Sequence, residues 1–423
     1  MSSRADLLDT EAPSAPFSDG ILGAAQVRAQ HSGLLLRLLW QAREVSRADL
    51  SRSTGLSRST ISAIVADLLD TGLVHEARPG ESRGGRKPIL LAFNDDAYYL
   101  VGVDMGATHV SVVVTNLRAV TRSWATQSIA VRNQPEASLA LITRLVDESL
   151  ARLGADASQV LGIGVSVPSP VDPDRPGRLL PLILPKWRDY DIIEHLGARY
   201  DAPVFMDNDA NVGALAEVWW GGRREGVDLA FIKVAMGIGA GFVIKGRIHR
   251  GRHGTAGEMG HTALDPNGPR CVCGLTGCLN TLVGSDALLA RAKAGLVDAP
   301  NSLLKGRLTV DKLVDAALAG DPTAQEVIGF AGRTLGVGVA NLLNLLAPDV
   351  VVLGGGLTRA GALLMKPLEE TVSNMSLANA VGRTQIEVSQ LGERGVALGA
   401  ATMALEAALD DHTLFHSRGL ATV

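Results

Sequence analysis

The sequence predicts a small winged helix-turn-helix domain followed by a two-lobed α/β body, and three observations carry that prediction. A capped helix, a glycine turn and a second capped helix occur in order between Ser46 and Asp70. From Tyr98 onward, apolar strands alternate with amphipathic helical stretches. Within that second part, glycine-rich turns around Gly106, Gly237 and Gly355 each follow an apolar strand. The chain has 423 residues, 46% hydrophobic and 20% charged, the balance of a globular protein with a sizeable core.

Residues 1–25 read as a disordered tail, small and polar without periodicity. They lack the charged start and apolar centre of a signal peptide, and no apolar run approaches the roughly 18–20 residues that span a bilayer, so a cytoplasmic location and no membrane partner are expected. Residues 26–95 form the first domain, with helices over about Val27 to Asp70. Ser46 is a good N-cap, a short helix runs to Thr54, Gly55 supplies the turn, and Ser57 caps the next helix. Ile61, Ile64, Val65, Leu68 and Leu69 fall at helical spacing toward a core. Ser57, Arg58, Ser59, Thr60 and Ser62 then lie where a recognition helix meets the major groove. A turn-rich basic segment, Ala77 to Pro88, precedes a strand over Ile89 to Phe93 and reads as the wing, with Arg83, Arg86 and Lys87 suited to the minor groove. The formal net charge is −4, so a nucleic-acid site has to be a local patch of this kind. The alternative is a helical hairpin with a solvated charged loop.

The body reads as strands over Tyr98–Asp104, Ser111–Leu117, Val160–Val167, Pro203–Met206, Leu229–Val234, Gly241–Ile244 and Val350–Leu353. Glu136–Leu153 and Pro322–Leu346 read as helices, and the residues after about Leu409 as a frayed tail. The strand pairs around Asp104 and Gly237 are a loose internal echo, as a duplicated lobe would produce. Asp104, Gly106 and Thr108 in the first turn suit a phosphate and its metal ion; Gly237 and Gly239 suit the other side of a phosphate chain, and Gly354 and Gly355 an adenosine. Singly each is more often a plain tight turn. In this order they suggest the actin/hexokinase (RNase H-like) ATPase arrangement of two lobes around a cleft.

All three cysteines, Cys271, Cys273 and Cys278, lie within eight positions, nine residues after Gly257-Glu258-Met259-Gly260-His261. An odd number so close together is no disulfide framework, whereas one His and three Cys complete a closed tetrahedral site for a structural Zn2+. The alternative is three free thiols and a chance histidine.

On these residues the chain resembles the ROK family (repressors, open reading frames and kinases), over about 27–409. The signature is Gly257-Glu258-x-Gly260-His261 with Cys271-x-Cys273-Gly274-x-x-Gly277-Cys278, and the sugar-kinase motif is Asn208-Asp209-Ala210-Asn211. The winged helix-turn-helix is similar to that of the repressor branch, typified by the N-acetylglucosamine and xylose repressors. The resemblance implies two actin-like lobes, 96–218 with 392–411 and 219–391, and a tail over 412–423. It implies that Asn208, Asp209, Glu258 and His261, with Asn280, contact a sugar, and that Asp209 is the general base in a kinase. Family kinases carry glutamate where Asn280 stands, a second glycine where Ala107 stands, often aspartate at Asn116, and commonly glycine at Ser169. Such departures weaken phosphoryl transfer and leave sensing intact.

The expected function is a sugar- or sugar-phosphate-responsive regulator of carbohydrate genes, a repressor, acting on operator DNA as a homodimer or homotetramer. The alternatives are an ATP- and Mg2+-dependent sugar kinase that keeps a DNA-binding arm, and a zinc-stabilised interaction protein with a decayed site. Ligand-driven closure of the lobes is expected to move the attachment of the arm near Tyr98.

Overall fold

The computed structural model describes residues 24–81, 87–180, 183–223, 226–377 and 382–410. The expected tails lie outside these residues, apart from Ala24 and Ala25, which open the first helix; Arg83 and Arg86 of the wing also lie outside them.

The first domain comprises α1 (Ala24–Ala42), β1 (Glu44–Ser46), α2 (Arg47–Thr54), α3 (Arg58–Asp70), β2 (Val74–Pro79) and β3 (Ile89–Phe93). Its helix boundaries follow from short polar side chains. The Ser46 hydroxyl accepts from the Asp49 amide while the Asp49 carboxylate accepts from the Ser46 amide, a reciprocal capping box. Gly55 is left-handed (φ 72°), and its amide closes α2 on the Ser51 carbonyl. Ser57 accepts from the Thr60 amide to start α3. Ile61, Ile64, Val65 and Leu68 are buried with Leu35, Leu36 and Leu39 of α1. The strands form one antiparallel sheet in the order β1-β3-β2. Strand β2 runs to Pro79, so the start of the segment read as turn is strand. Only Val74 of β2 is buried, so it carries no alternation of apolar and polar residues to announce itself.

The first lobe contains β4 (Tyr99–Met105), β5 (His109–Thr115), β6 (Thr121–Ser128), α4 (Pro135–Arg152), β7 (Val160–Val167), α5 (Ile192–Tyr200) and β8 (Val204–Asn208). Helix α6 (Asp209–Trp220) leads onward. The second lobe contains β9 (Leu229–Val234), β10 (Ile238–Ile244), β11 (Arg247–Ile248), α7 (Leu279–Val283), α8 (Ser285–Gly295), α9 (Val310–Leu318), α10 (Pro322–Leu346), β12 (Val350–Gly354), α11 (Ala362–Met375) and β13 (Gln385–Val388). The sheets are ordered β6-β5-β4-β7-β8 and β11-β10-β9-β12-β13. Each is an antiparallel three-strand meander extended by two parallel strands, so the internal echo is a repeat of topology.

A last helix, α12 (Gly395–Asp410), returns to the first lobe and lies on β4 and β7. Two glycines permit this close approach. A Cβ at Gly102 would sit 1.9 Å from the Ala397 carbonyl oxygen, and one at Gly164 would sit 1.7 Å from that of Ala400. The other face of α12 meets α1, where Arg37 pairs with Asp410 at 2.6 Å. One continuous core therefore joins Leu36 and Leu39 of α1, Ala401 and Leu405 of α12, and Leu100 and Leu161 of the first sheet. Among the described residues no helix is long and apolar enough to cross a membrane.

Candidate functional site

Because β4, β9 and β12 are the central strands of the two sheets, their C-terminal ends bring the three glycine turns together. Asp104 lies one residue before the end of β4; Gly106 and Thr108 lie in the turn into β5; Gly237 joins β9 to β10 and Gly239 lies at the start of β10; Gly354 ends β12 and Gly355 follows it. Asp104 is 4% exposed. Its Oδ1 accepts from Ser166 at 2.7 Å, and its Oδ2 lies 3.2 Å from His109 Nε2. Lys233 of β9 places Nζ 2.8 Å from Asp209 Oδ2 and 4.0 Å from Asp104 Oδ1. Burial alone would raise the Asp104 carboxyl and lower the Lys233 amine; each charge reverses that effect on the other, so Asp104 is held below the usual carboxylate range and Lys233 above the usual amine range.

Asn208 and Asp209 open α6. Asn208 is its N-cap, with Oδ1 accepting from the Ala210 amide at 2.9 Å. Asp207, one residue earlier and buried, accepts from Arg250 Nε at 2.7 Å and from Asn211 at 3.0 Å. Arg250 follows β11 of the second lobe, so this pair joins the lobes, as does Lys233 with Asp104. Glu258 stands before the 3-10 turn Met259–His261; burial first, and the Asp209 carboxylate second, push it up to about 7. The structure thus brings Asp209, Glu258 and His261 together, with Asn208 beside Asp209 as the cap of α6. Asn280 is placed differently: its Oδ1 accepts from the Ile238 amide at 2.6 Å and fastens the β9–β10 turn. Asn116 is a correction. It lies in the β5–β6 hairpin, past the opposite end of β5 from the Asp104 turn, where it holds Asp96 and the Arg118 and Val120 amides. Its identity therefore has no bearing on a phosphate.

The metal-type residues do converge. His261, Cys271, Cys273 and Cys278 offer one ligand atom each, all within 4.8 Å of one another, and could hold one ion. Bonds of about 2.3 Å to sulfur and about 2.0–2.1 Å to nitrogen place the corners of a tetrahedral zinc site roughly 3.5–3.8 Å apart. Cys273 Sγ and Cys278 Sγ are 3.7 Å apart, and Cys271 Sγ is 3.6 Å from His261 Nδ1. Burial first, and the neighbouring sulfurs second, push the Cys278 thiol up to about 12, a crowding that a shared cation would relieve. Gly277 (φ 68°) makes the loop: a Cβ there would lie 1.5 Å from the Asp265 carbonyl oxygen. The other imidazole nitrogen, Nε2, faces Glu258 at 3.7 Å, so the ring joins the metal-type cluster to that carboxylate.

On α3, Arg58, Ser59 and Ser62 are exposed on the outer face. Thr60 is half-buried, and Ser57, although exposed, spends its oxygen as the helix cap and on the Ser59 and Thr60 hydroxyls. Lys87 of the wing is exposed.

The sequence and the fold both match known proteins. The ROK family model matches residues 100–407, most of the chain. The chain belongs to the ROK family. A winged helix-turn-helix DNA-binding model matches residues 32–75 in front of it. The xylose repressor of Caldicellulosiruptor bescii is 31% identical over 379 residues, covering 88% of this chain and 94% of that protein. A solved ROK family transcriptional regulator, described as a homolog of the Escherichia coli MLC protein, is 26% identical with a TM-score of 0.77, covering 94% of this chain and all of that one. A ROK family glucokinase from Streptomyces griseus, solved with glucose and AMPPNP, is 27% identical with a TM-score of 0.65, covering 72% of this chain and 98% of that one. A ROK body carrying a winged helix-turn-helix makes the chain a transcriptional regulator of the repressor branch.

Three residues of this ROK chain escaped sequence reasoning: Lys233, His109 and Arg250. The only sequence signal for Lys233 is a charge in an otherwise apolar strand, Leu229–Val234, that reads as buried.

Proposed function

We propose that this chain is a carbohydrate-responsive transcriptional repressor whose interlobe cleft senses a sugar through Asn208, Asp209, Glu258 and His261. The single observation that carries the reading is the core shared by α1, α12 and the first sheet, which ties the DNA-reading domain to the lobe that bears Asp209. The xylose repressor and the MLC-homologous regulator support the function class. Arg58, Ser59 and Ser62 would face base edges and phosphates, while Arg83, Arg86 and Lys87 of the wing would face the minor groove. His261, Cys271, Cys273 and Cys278 would hold a structural zinc, which fixes the imidazole beside the sugar. A dimer would set two recognition helices on the half-sites of a pseudo-palindrome, in the compartment that holds the DNA.

The test is operator binding by the full chain, on a fragment selected from random DNA, against a panel of sugars and sugar phosphates. One ligand is expected to weaken binding by about 5- to 150-fold, a coupling of roughly 1–3 kcal/mol. Asp209→Asn and Glu258→Gln should bind the operator normally yet respond poorly. A full ligand response in both variants would remove the cleft from the sensing path.

A further inference from the structure

We infer that Lys233 is a built-in cation of the cleft, standing where phosphoryl chemistry requires a divalent metal and making the site a receptor for a hydroxylated ligand alone, closed to a magnesium nucleotide. The inference rests on reading the cleft as the sugar site. The Lys233 side chain is only 12% exposed. An ammonium in such a place is tolerated only when paired, and its partners are Asp209 at 2.8 Å and Asp104 at 4.0 Å. These are the two carboxylates that phosphoryl transfer would need free. Asp104 would carry the metal at the phosphate turn, and Asp209 would take the proton of the attacking hydroxyl.

In this chain neither carboxylate is free. The two oxygens of Asp104 are engaged by Ser166 and His109, with Lys233 nearby on the Ser166 side, and one oxygen of Asp209 is engaged by Lys233. The strand register places the lysine among the residues expected to line a nucleotide: Lys233 pairs with Gly239 on β10 and with Gly354 on β12. His109 adds to the exclusion. Its ring lies against Gly106, so close that a Cβ on that glycine would meet it at 2.3 Å, and it covers the turn that would receive phosphate. A lysine supplies one compact positive charge and three donors, so it attracts both carboxylates without a metal and offsets one of their two charges. It also links the lobes, since Lys233 is on the second and Asp104 on the first. The chain thereby supplies its own cation between the two carboxylates.

The experiment is isothermal titration of the full-length protein with a non-hydrolysable ATP analogue and magnesium, in the wild type, Lys233→Thr and Lys233→Gln. Glutamine keeps a donor for Asp209 and removes the charge, so the comparison survives if the threonine variant does not fold. The wild type is expected to give no binding up to about 1 mM analogue, the upper end of ordinary substrate affinities. At least one folded variant should gain magnesium-dependent binding of about tenfold or more over the wild type, and magnesium alone should raise its melting temperature but not that of the wild type. Tight nucleotide binding by the wild type, or no gain in either folded variant, overturns the inference. Sugar-dependent operator release by the wild type is measured alongside; if it persists while the titration fails, Lys233 loses this role and the repressor reading stands.

Discussion

Cys273 is half-buried with Cys271 and Cys278 beside it, and its proposed value to the fold lies in an ion that the three sulfurs would share. Cys273→Ser should abolish bound zinc, lower the melting temperature and expose the loop from His261 to Gly284 to hydrogen exchange, because metal binding is part of the folding free energy of such a loop. A strong chelator should do the same to the wild type. Elemental analysis showing no zinc in protein purified without chelators would defeat this prediction. The metal-type cluster was legible because its spacing is local: four donors within 18 positions need only a tight glycine turn to meet. Lys233 was not legible, because its partners come from β4 and α6 and nothing in a strand's own sequence says which carboxylates will face it. Arg58 belongs to the same scale. It is exposed at the first turn of α3, so Arg58→Ala should cost about 1–3 kcal/mol of discrimination at one operator position, while Lys87→Ala should weaken all sequences alike and flatten the salt dependence. Unaltered specificity of Arg58→Ala in competition gel shifts would remove α3 from base reading.

Between elements, the decisive contacts are backbone against backbone. Helix α12 rests on β4 and β7 with no room for a methyl at Gly164, 1.7 Å from the Ala400 carbonyl oxygen. Gly164→Ala is therefore expected to cost about 1–3 kcal/mol or more by urea unfolding, since the helix must move off the sheet and disturb the core shared with α1. Gly356→Ala, where an added Cβ meets nothing within 4 Å, should change stability by no more than about 1 kcal/mol. Equal effects at the two sites would mean that α12 is not held this tightly. Burial also decided which elements could be read from sequence. Val160–Val167 and Leu229–Val234 agree to the residue with β7 and β9, because a central strand is a continuous apolar run. Strands β6, β11 and β13 went unread. They lie toward or at sheet edges, two of them only two and four residues long, and β6 exposes much of its length. The bond from the Ile238 amide to Asn280 Oδ1 was not legible for a related reason: it depends on the packing of α7 against β10, which no local pattern encodes.

For the whole molecule, the question is how a sugar bound at Asp209, as proposed, would act on the helix proposed to read DNA. The expected route ran through the chain junction near Tyr98, whose hydroxyl does donate to the Thr71 carbonyl at 3.0 Å. The fold supplies a second and more direct route. Helix α6 begins at Asp209 and ends at Trp220, one rigid rod about 18 Å long. At its far end Trp219 and Trp220 meet Trp40 of α1 edge to face, with ring centroids 5.4 and 6.2 Å apart. Trp40 is fixed on its other sides, donating from Nε1 to the Leu117 carbonyl at 3.0 Å and lying under the Arg118 guanidinium at 4.5 Å. Trp220 donates to Thr402 of α12 at 2.8 Å, so the helix that carries α1 is tied to the same point. A tilt of α6 when its first residues grip a ligand would thus be delivered to α1 as a displacement of Trp40. In a dimer that displacement would change the separation of the two α3 helices. Trp40→Phe keeps a ring in the gap but loses the hydrogen bond and part of the contact. It should bind both sugar and operator within about threefold of the wild type, yet lose at least half of a coupling of roughly 1–3 kcal/mol. Trp40→Ala, if it folds, should lose nearly all of it. The measurement is a thermodynamic square: operator affinity with and without saturating sugar, and sugar affinity with and without operator, which must agree because coupling is reciprocal. Full coupling in a folded Trp40→Ala protein would exclude this route and return the signal to the junction at Tyr98.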